Sequence, residues 1–196
     1  MDISLDFETL GLHQHACPLQ IGLAYFNPET GEIIAAYKNN FEVSDALINY
    51  QCVIYPETLE WRKDKKSPEI YKVAQIDAIL REVSGFMNRW KFERMWAKNP
   101  TFDVSILERL YLISNQNTPP SLPWRYNQIR DYNQLLETVR LLGCETGKPD
   151  VAHYPLADAI RQAKEISHML NFIKDFKASG DDRLIRTEQT VQRGGI

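Results

Sequence analysis

The first forty residues carry a period-two pattern, and from Val43 onward the apolar spacing becomes helical. That switch confines the chain to folds that combine a sheet with helices. Residues 3–7 alternate around Leu5 until Gly11 breaks the pattern, and residues 19–26 form a second apolar run. Residues 32–43 resume as a third strand with β-favouring Ile33, Ile34, Tyr37 and Phe41. Asn27-Pro28-Glu29-Thr30-Gly31 is a turn by composition. Three strands on short connections predict an antiparallel meander.

Helices dominate the rest. Pro56 opens a short one that includes Trp61, and Ser67-Pro68-Glu69 reads as an N-cap with proline at N1. Residues 76–90 give the clearest amphipathic pattern, through Ile76, Ile79, Leu80, Val83 and Met87. Met95-Trp96-Ala97 is a short buried strand, and Asp103 can cap the helix that follows it. Residues 114–123 are a polar, proline-rich loop. Residues 133–142 are a helix capped by Asp131, with Gln134 three positions on. Residues 144–152 are a loop, residues 156–176 a long helix, and residues 179–196 are polar with few large apolar side chains. The expected fold class is α/β, a mixed sheet flanked by helices. A length of 196 residues fits one domain, residues 1–176, followed by a polar tail, residues 177–196.

Composition excludes several classes. Hydrophobic residues at 43% and charged residues at 25% rule out disordered, collagenous and coiled-coil chains. No apolar run approaches the ~20 residues of a membrane helix, and the first residues lack the basic and apolar regions of a secretory signal. Cys17, Cys52 and Cys144 are odd in number and form no CxxC. A reducing, cytoplasmic setting is therefore expected, with the thiols packed as small hydrophobes. A net charge of −3 argues against a polycationic coat for nucleic acid, though not against an enzyme that meets phosphates through bound metal.

Asp6 and Glu8, two apart on the first strand, share one face. Carboxylates side by side repel unless a cation sits between them, and oxygen ligands suit magnesium or manganese. With 26 acids in 196 residues such a pair arises by chance roughly three times, so an exposed strand end is the bland alternative. Asp103 starts a helix, where Asp commonly serves as a cap. In His153-Tyr154-Pro155-Leu156-Ala157-Asp158, proline starts a helix with Asp158 in its first turn and His153 on the preceding loop. An imidazole titrating near ~6.5 can take a proton from water; a surface histidine and a dipole-favoured Asp are the plain alternative. His13 and His15 have no cluster of cysteines or acids beside them, which disfavours zinc.

In combination and order these segments resemble the DEDDh exonucleases, the DnaQ-like branch of the ribonuclease H fold. The motifs are DFET then a glycine near the start, FD at a helix start, and H-x4-D before the last helix. Glu60-Trp61 ahead of Ser67-Pro68-Glu69, and Asn127-Gln128-Ile129-Arg130-Asp131, bring the chain nearest to the group of T-even phage exonuclease A and mycobacterial RNase AS. That group often has paired tryptophans where Glu60-Trp61 stands and RT where Asn133-Gln134 stands, which leaves substrate preference open.

The resemblance implies a ribonuclease H-like sheet and removal of nucleotides one at a time from single-stranded 3′ ends. It implies that Asp6, Glu8, Asp103 and Asp158 hold two Mg²⁺ or Mn²⁺ ions and that His153 is the general base. Thr9 and Leu10 are expected to meet the terminal nucleotide, with Leu10 wedged beside its base. Phe102 is expected to stack, Trp61 to close over the base, and Arg130 to contact phosphate or ribose. The Arg62, Lys63, Lys65 and Lys66 run beside Trp61 would suit phosphates. Core packing for Leu10, Phe102 and Trp61, a surface ion pair for Arg130, and a solvated face for the charge run are the alternatives. The RNase AS likeness favours RNA slightly over DNA. Many relatives of the fold are homodimers, which makes a dimer an expectation. A catalytically silent binding module and a phosphodiesterase for short oligonucleotides are the competing functions.

Overall fold

The first strand, β1 (Asp2–Thr9), is two-faced. Ile3, Leu5 and Phe7 belong to the main core, while Asp2, Ser4, Asp6 and Glu8 face the other way. The structure, a computed structural model, describes residues 1–63, 72–115, 121–146 and 154–180. β1 pairs antiparallel with β2 (Pro18–Phe26), which pairs antiparallel with β3 (Ile33–Asn40), so the meander expected from the sequence is present. On its other side β1 pairs parallel with β4 (Arg94–Ala97), and β4 pairs parallel with β5 (Ile129–Asp131). The five-stranded order is β3-β2-β1-β4-β5.

Helices cover both faces. α3 (Ile76–Arg89) and α4 (Pro100–Ser114) bury Ile79, Val83, Leu107 and Leu110 against the apolar side of β1. α5 (Tyr132–Leu141) and α6 (Pro155–Ala178) form the second core with Ala24, Phe26, Trp96, Val139, Ala163 and Ile166. Between β3 and α3 lie the short α1 (Val43–Ile48) and α2 (Pro56–Lys63). No helix among the described residues is long and apolar enough to cross a membrane.

Four sequence expectations change. The third strand stops at Asn40 rather than Val43, because Phe41 turns to bridge Ala74 and Val43 already opens α1. Asp103 is not the cap of α4. Asn99 holds that position with Pro100 behind it, and Asp103 lies in the first turn. Residues 129–131 form a fifth strand, too short to show any period. The last helix runs on to Ala178. Asp131 does cap α5, accepting a hydrogen bond from the Gln134 N–H at 3.0 Å. The Ser67-Pro68-Glu69 stretch, Lys65, Lys66 and residues 181–196 of the tail lie outside the described residues.

Candidate active site

The parallel partner β4 pairs with β1 only as far as Leu5, opposite Ala97. Beyond that point the carboxyl end of β1 runs on into a crevice, at the place where the chain order switches from one side of β1 to the other. Crevices at such switch points are where open α/β sheets bind ligands. Asp6 and Glu8 lie on this stretch, and the β1–β2 register shifts between Glu8 and Thr9. The crevice is a cleft of about 670 Å³ floored by Asp6, Glu8, Asp103 and Asp158, a size typical of small-ligand sites.

α6 delivers Asp158 to Asp6 because of a glycine. Gly22 pairs with Asp6 across the ladder, and a Cβ there would stand 2.4 Å from backbone atoms of Pro155 and Leu156. Without a side chain at that point the first turn of α6 rests directly on β2. Pro155 at the start of the helix fits its missing N–H. The Tyr154 N–H donates to Asp158 Oδ2 at 3.2 Å and fixes the carboxylate rotamer. One turn further, Gln162 Nε2 donates to Asp6 Oδ1 at 2.9 Å. Arg161 donates to Asp158 Oδ1 at 3.0 Å and to Glu165, which also accepts from the Tyr132 hydroxyl at 2.6 Å.

Asp6, Glu8 and Asp158 each offer an oxygen, and these atoms lie within 4.8 Å of one another; among the described residues this is the one such group. Asp103 stands in the same cleft but outside that trio. Its oxygens accept from the Phe7 N–H at 3.3 Å and the Asn99 N–H at 3.4 Å, taking over the strand amide beyond the end of β4. Burial pushes its carboxyl up to about 7, against the pull of those amides. Burial, then the charges of Asp103, Asp158 and Glu8, hold Asp6 well above the usual carboxylate range. Converging hard oxygens with surplus negative charge are the donor set of a divalent cation.

A family model for the 3′-5′ exoribonuclease Rv2179c-like domain matches residues 1–170. The chain belongs to that exoribonuclease family. No curated protein matches it. Among solved structures, E. coli exonuclease I in complex with a dT13 oligonucleotide is 14% identical with a TM-score of 0.62, over 89% of this chain and 42% of that one. Exonuclease X in complex with 5′ overhanging duplex DNA is 15% identical with a TM-score of 0.51, over 87% and 92%. The zinc-bound E. coli exonuclease I–ssDNA complex is 14% identical with a TM-score of 0.60, over 94% and 42%. The chain thus spans less than half of exonuclease I, and these likenesses establish the shared fold, a mixed sheet flanked by helices.

Within this exoribonuclease-family domain the other expected contacts divide. Thr9, Trp61 and Phe102 line the cleft. Phe102 also packs against the main core. Leu10 does not line the cleft. Its N–H donates to Cys17 O, its carbonyl accepts from the Tyr55 N–H, and its side chain is core, 6% exposed. Leu12 lines the cleft instead. Arg130 also stands outside the cleft lining, because its guanidinium folds back onto the carbonyls of Asn127 and Ile129. His153 lies outside the described residues. The three cysteines are buried, and burial pushes the Cys17 thiol up to about 12, as expected of small packed side chains.

Sequence reasoning set Arg62 beside substrate phosphates but missed its contact with Glu8, and it missed Arg161 and Gln162. The last two stand three and four residues after Asp158, a spacing that places helical side chains together, so a signal was present. Arg62 reaches Glu8 from a different element, and no spacing rule announces it.

Proposed function

We propose that this chain is a metal-dependent 3′-5′ exonuclease of single-stranded ends that favours RNA over DNA. The observation that carries the reading is the convergence of Asp6, Glu8 and Asp158 oxygens in one cleft, with Asp6 pushed toward protonation by burial and then by its charged neighbours. In this proposal those three residues, with Asp103, hold two Mg²⁺ or Mn²⁺ ions. When bound, such a pair lowers the pKa of a water and stabilises charge on the leaving 3′ oxygen. Tyr154 N–H, Gln162 and Arg161 orient the carboxylates. His153, directly before Tyr154 in sequence, is the proposed general base that takes the proton from the attacking water. Thr9, Phe102 and Trp61 border the space for the terminal nucleotide, where a stacked base is worth ~1–3 kcal/mol. The family's description as exoribonuclease supports the RNA preference, and the oligonucleotide complexes of its structural neighbours support a single-stranded substrate.

The test is incubation with Mn²⁺ and matched 5′-labelled RNA and DNA strands. The expected result is a ladder shortening from the 3′ end, faster on RNA, abolished by EDTA and by Asp6→Asn. Strand binding without shortening would overturn the enzyme in favour of a silent binding module. Cleavage confined to oligomers of a few nucleotides would make the chain a short-oligonucleotide phosphodiesterase.

A further inference from the structure

α2 has no buried residue from Pro56 to Arg62, yet one of its side chains reaches inside. The Arg62 side chain is only 10% exposed. Its Nε donates to the Thr9 carbonyl at 3.1 Å and its Nη2 donates to Glu8 Oε2. One edge of the guanidinium is therefore fixed on the end of β1, and Arg62 lines the cleft. Among the described residues Nη1 has no protein partner. A guanidinium is planar, permanently charged and matched to phosphate oxygens, and anchoring one edge orients the remaining donors before any ligand arrives. The residue next to it, Trp61, borders the same cleft.

We propose that Arg62 binds a backbone phosphate at the 3′ end of the strand through Nη1, while its other edge stays anchored on the end of β1. This inference rests on the exonuclease reading for the identity of the strand. It accounts for a cation kept close to the acids of a cleft that must admit a polyanion.

The experiment measures single-stranded RNA binding by fluorescence anisotropy over a salt series in Ca²⁺, a hard oxygen-seeking ion, and then kcat and KM in Mn²⁺. The proteins are wild type, Arg62→Gln, Arg62→Lys and Lys174→Gln. Lys174 forms an exposed pair with Glu29 and controls for loss of one positive charge. Expected for Arg62→Gln are affinity lower by about tenfold and a salt slope smaller by about 0.7, the value of one phosphate contact on a single strand. KM should rise while kcat stays within about threefold. Arg62→Lys should recover the salt slope, and Lys174→Gln should match wild type. An unchanged slope in Arg62→Gln, with kcat lost instead, would overturn the proposal and leave Arg62 as a prop for Glu8. A wild type that binds strands without cleaving them defeats the exonuclease reading while the slopes still decide Arg62. A wild type that binds no strand overturns both.

Discussion

At the scale of single residues, the site is a problem of surplus charge. Asp103 illustrates it: burial raises its carboxyl from the ordinary 3.8 to about 7. The folded, metal-free protein therefore holds a proton that the unfolded chain has released, and stability falls as pH rises. The penalty is absent below about 4, grows between about 4 and 7, and is complete above. Thermal melts in EDTA should show Tm declining across that window. Asp103→Asn should flatten the decline, leaving the part that belongs to Asp6. A flat Tm profile in the wild type would refute the burial of this charge. Asp6→Asn should reduce turnover by at least ~10³-fold if Asp6 holds metal, since catalysis then loses a ligand, with a circular dichroism spectrum like that of wild type. The pairing of Asp6 with Glu8 was legible from the period of two alone. The departure of Leu10 and Arg130 from the cleft was not, because local pattern does not say which way a chain leaves a strand end.

At the scale of elements, one contact positions the whole arrangement: the first turn of α6 against β2 at Gly22. Gly22→Val would force backbone apart and carry Asp158 away from Asp6. Overpacking of this kind costs ~1–3 kcal/mol. The variant should therefore remain folded with a lower Tm, while Mn²⁺ affinity, read by isothermal titration, drops at least tenfold. Normal Mn²⁺ affinity in a folded variant would show that Asp158 does not depend on this seat. The glycine was visible in the sequence as part of a strand, but its use was not, since a close approach exists only once α6 has crossed the sheet. α3 was legible because its apolar stripe is continuous, from Ile76 through Met87. β5 was not, because three residues between a 3₁₀ turn at Tyr126–Gln128 and α5 carry no period.

At the scale of the whole molecule, a bound cation should tie sheet and helices together. The proposed ligands come from β1, α4 and α6, which unfolding separates. If Mn²⁺ binds only the folded chain, a concentration one hundred times its Kd adds about 2.7 kcal/mol. For a chain of this size that corresponds to about 5–10 °C in Tm. Calorimetry with and without Mn²⁺ reads this directly, and Asp6→Asn should lose most of the shift. An equal shift in wild type and variant would place the ion elsewhere.

The sequence by itself determined the fold class, the meander, the amphipathic helices and the identity of the acids, because period and residue chemistry are local properties. The fold decided which acids meet. Asp6 and Asp158 are 152 positions apart and approach through the seat at Gly22. Asp103 joins them by taking the Phe7 amide where β4 ends. Only the tertiary structure brought Arg62 to Glu8 and turned Leu10 inward. Those outcomes depend on how separate elements dock, and docking follows from the shapes of surfaces that exist only after the chain has folded.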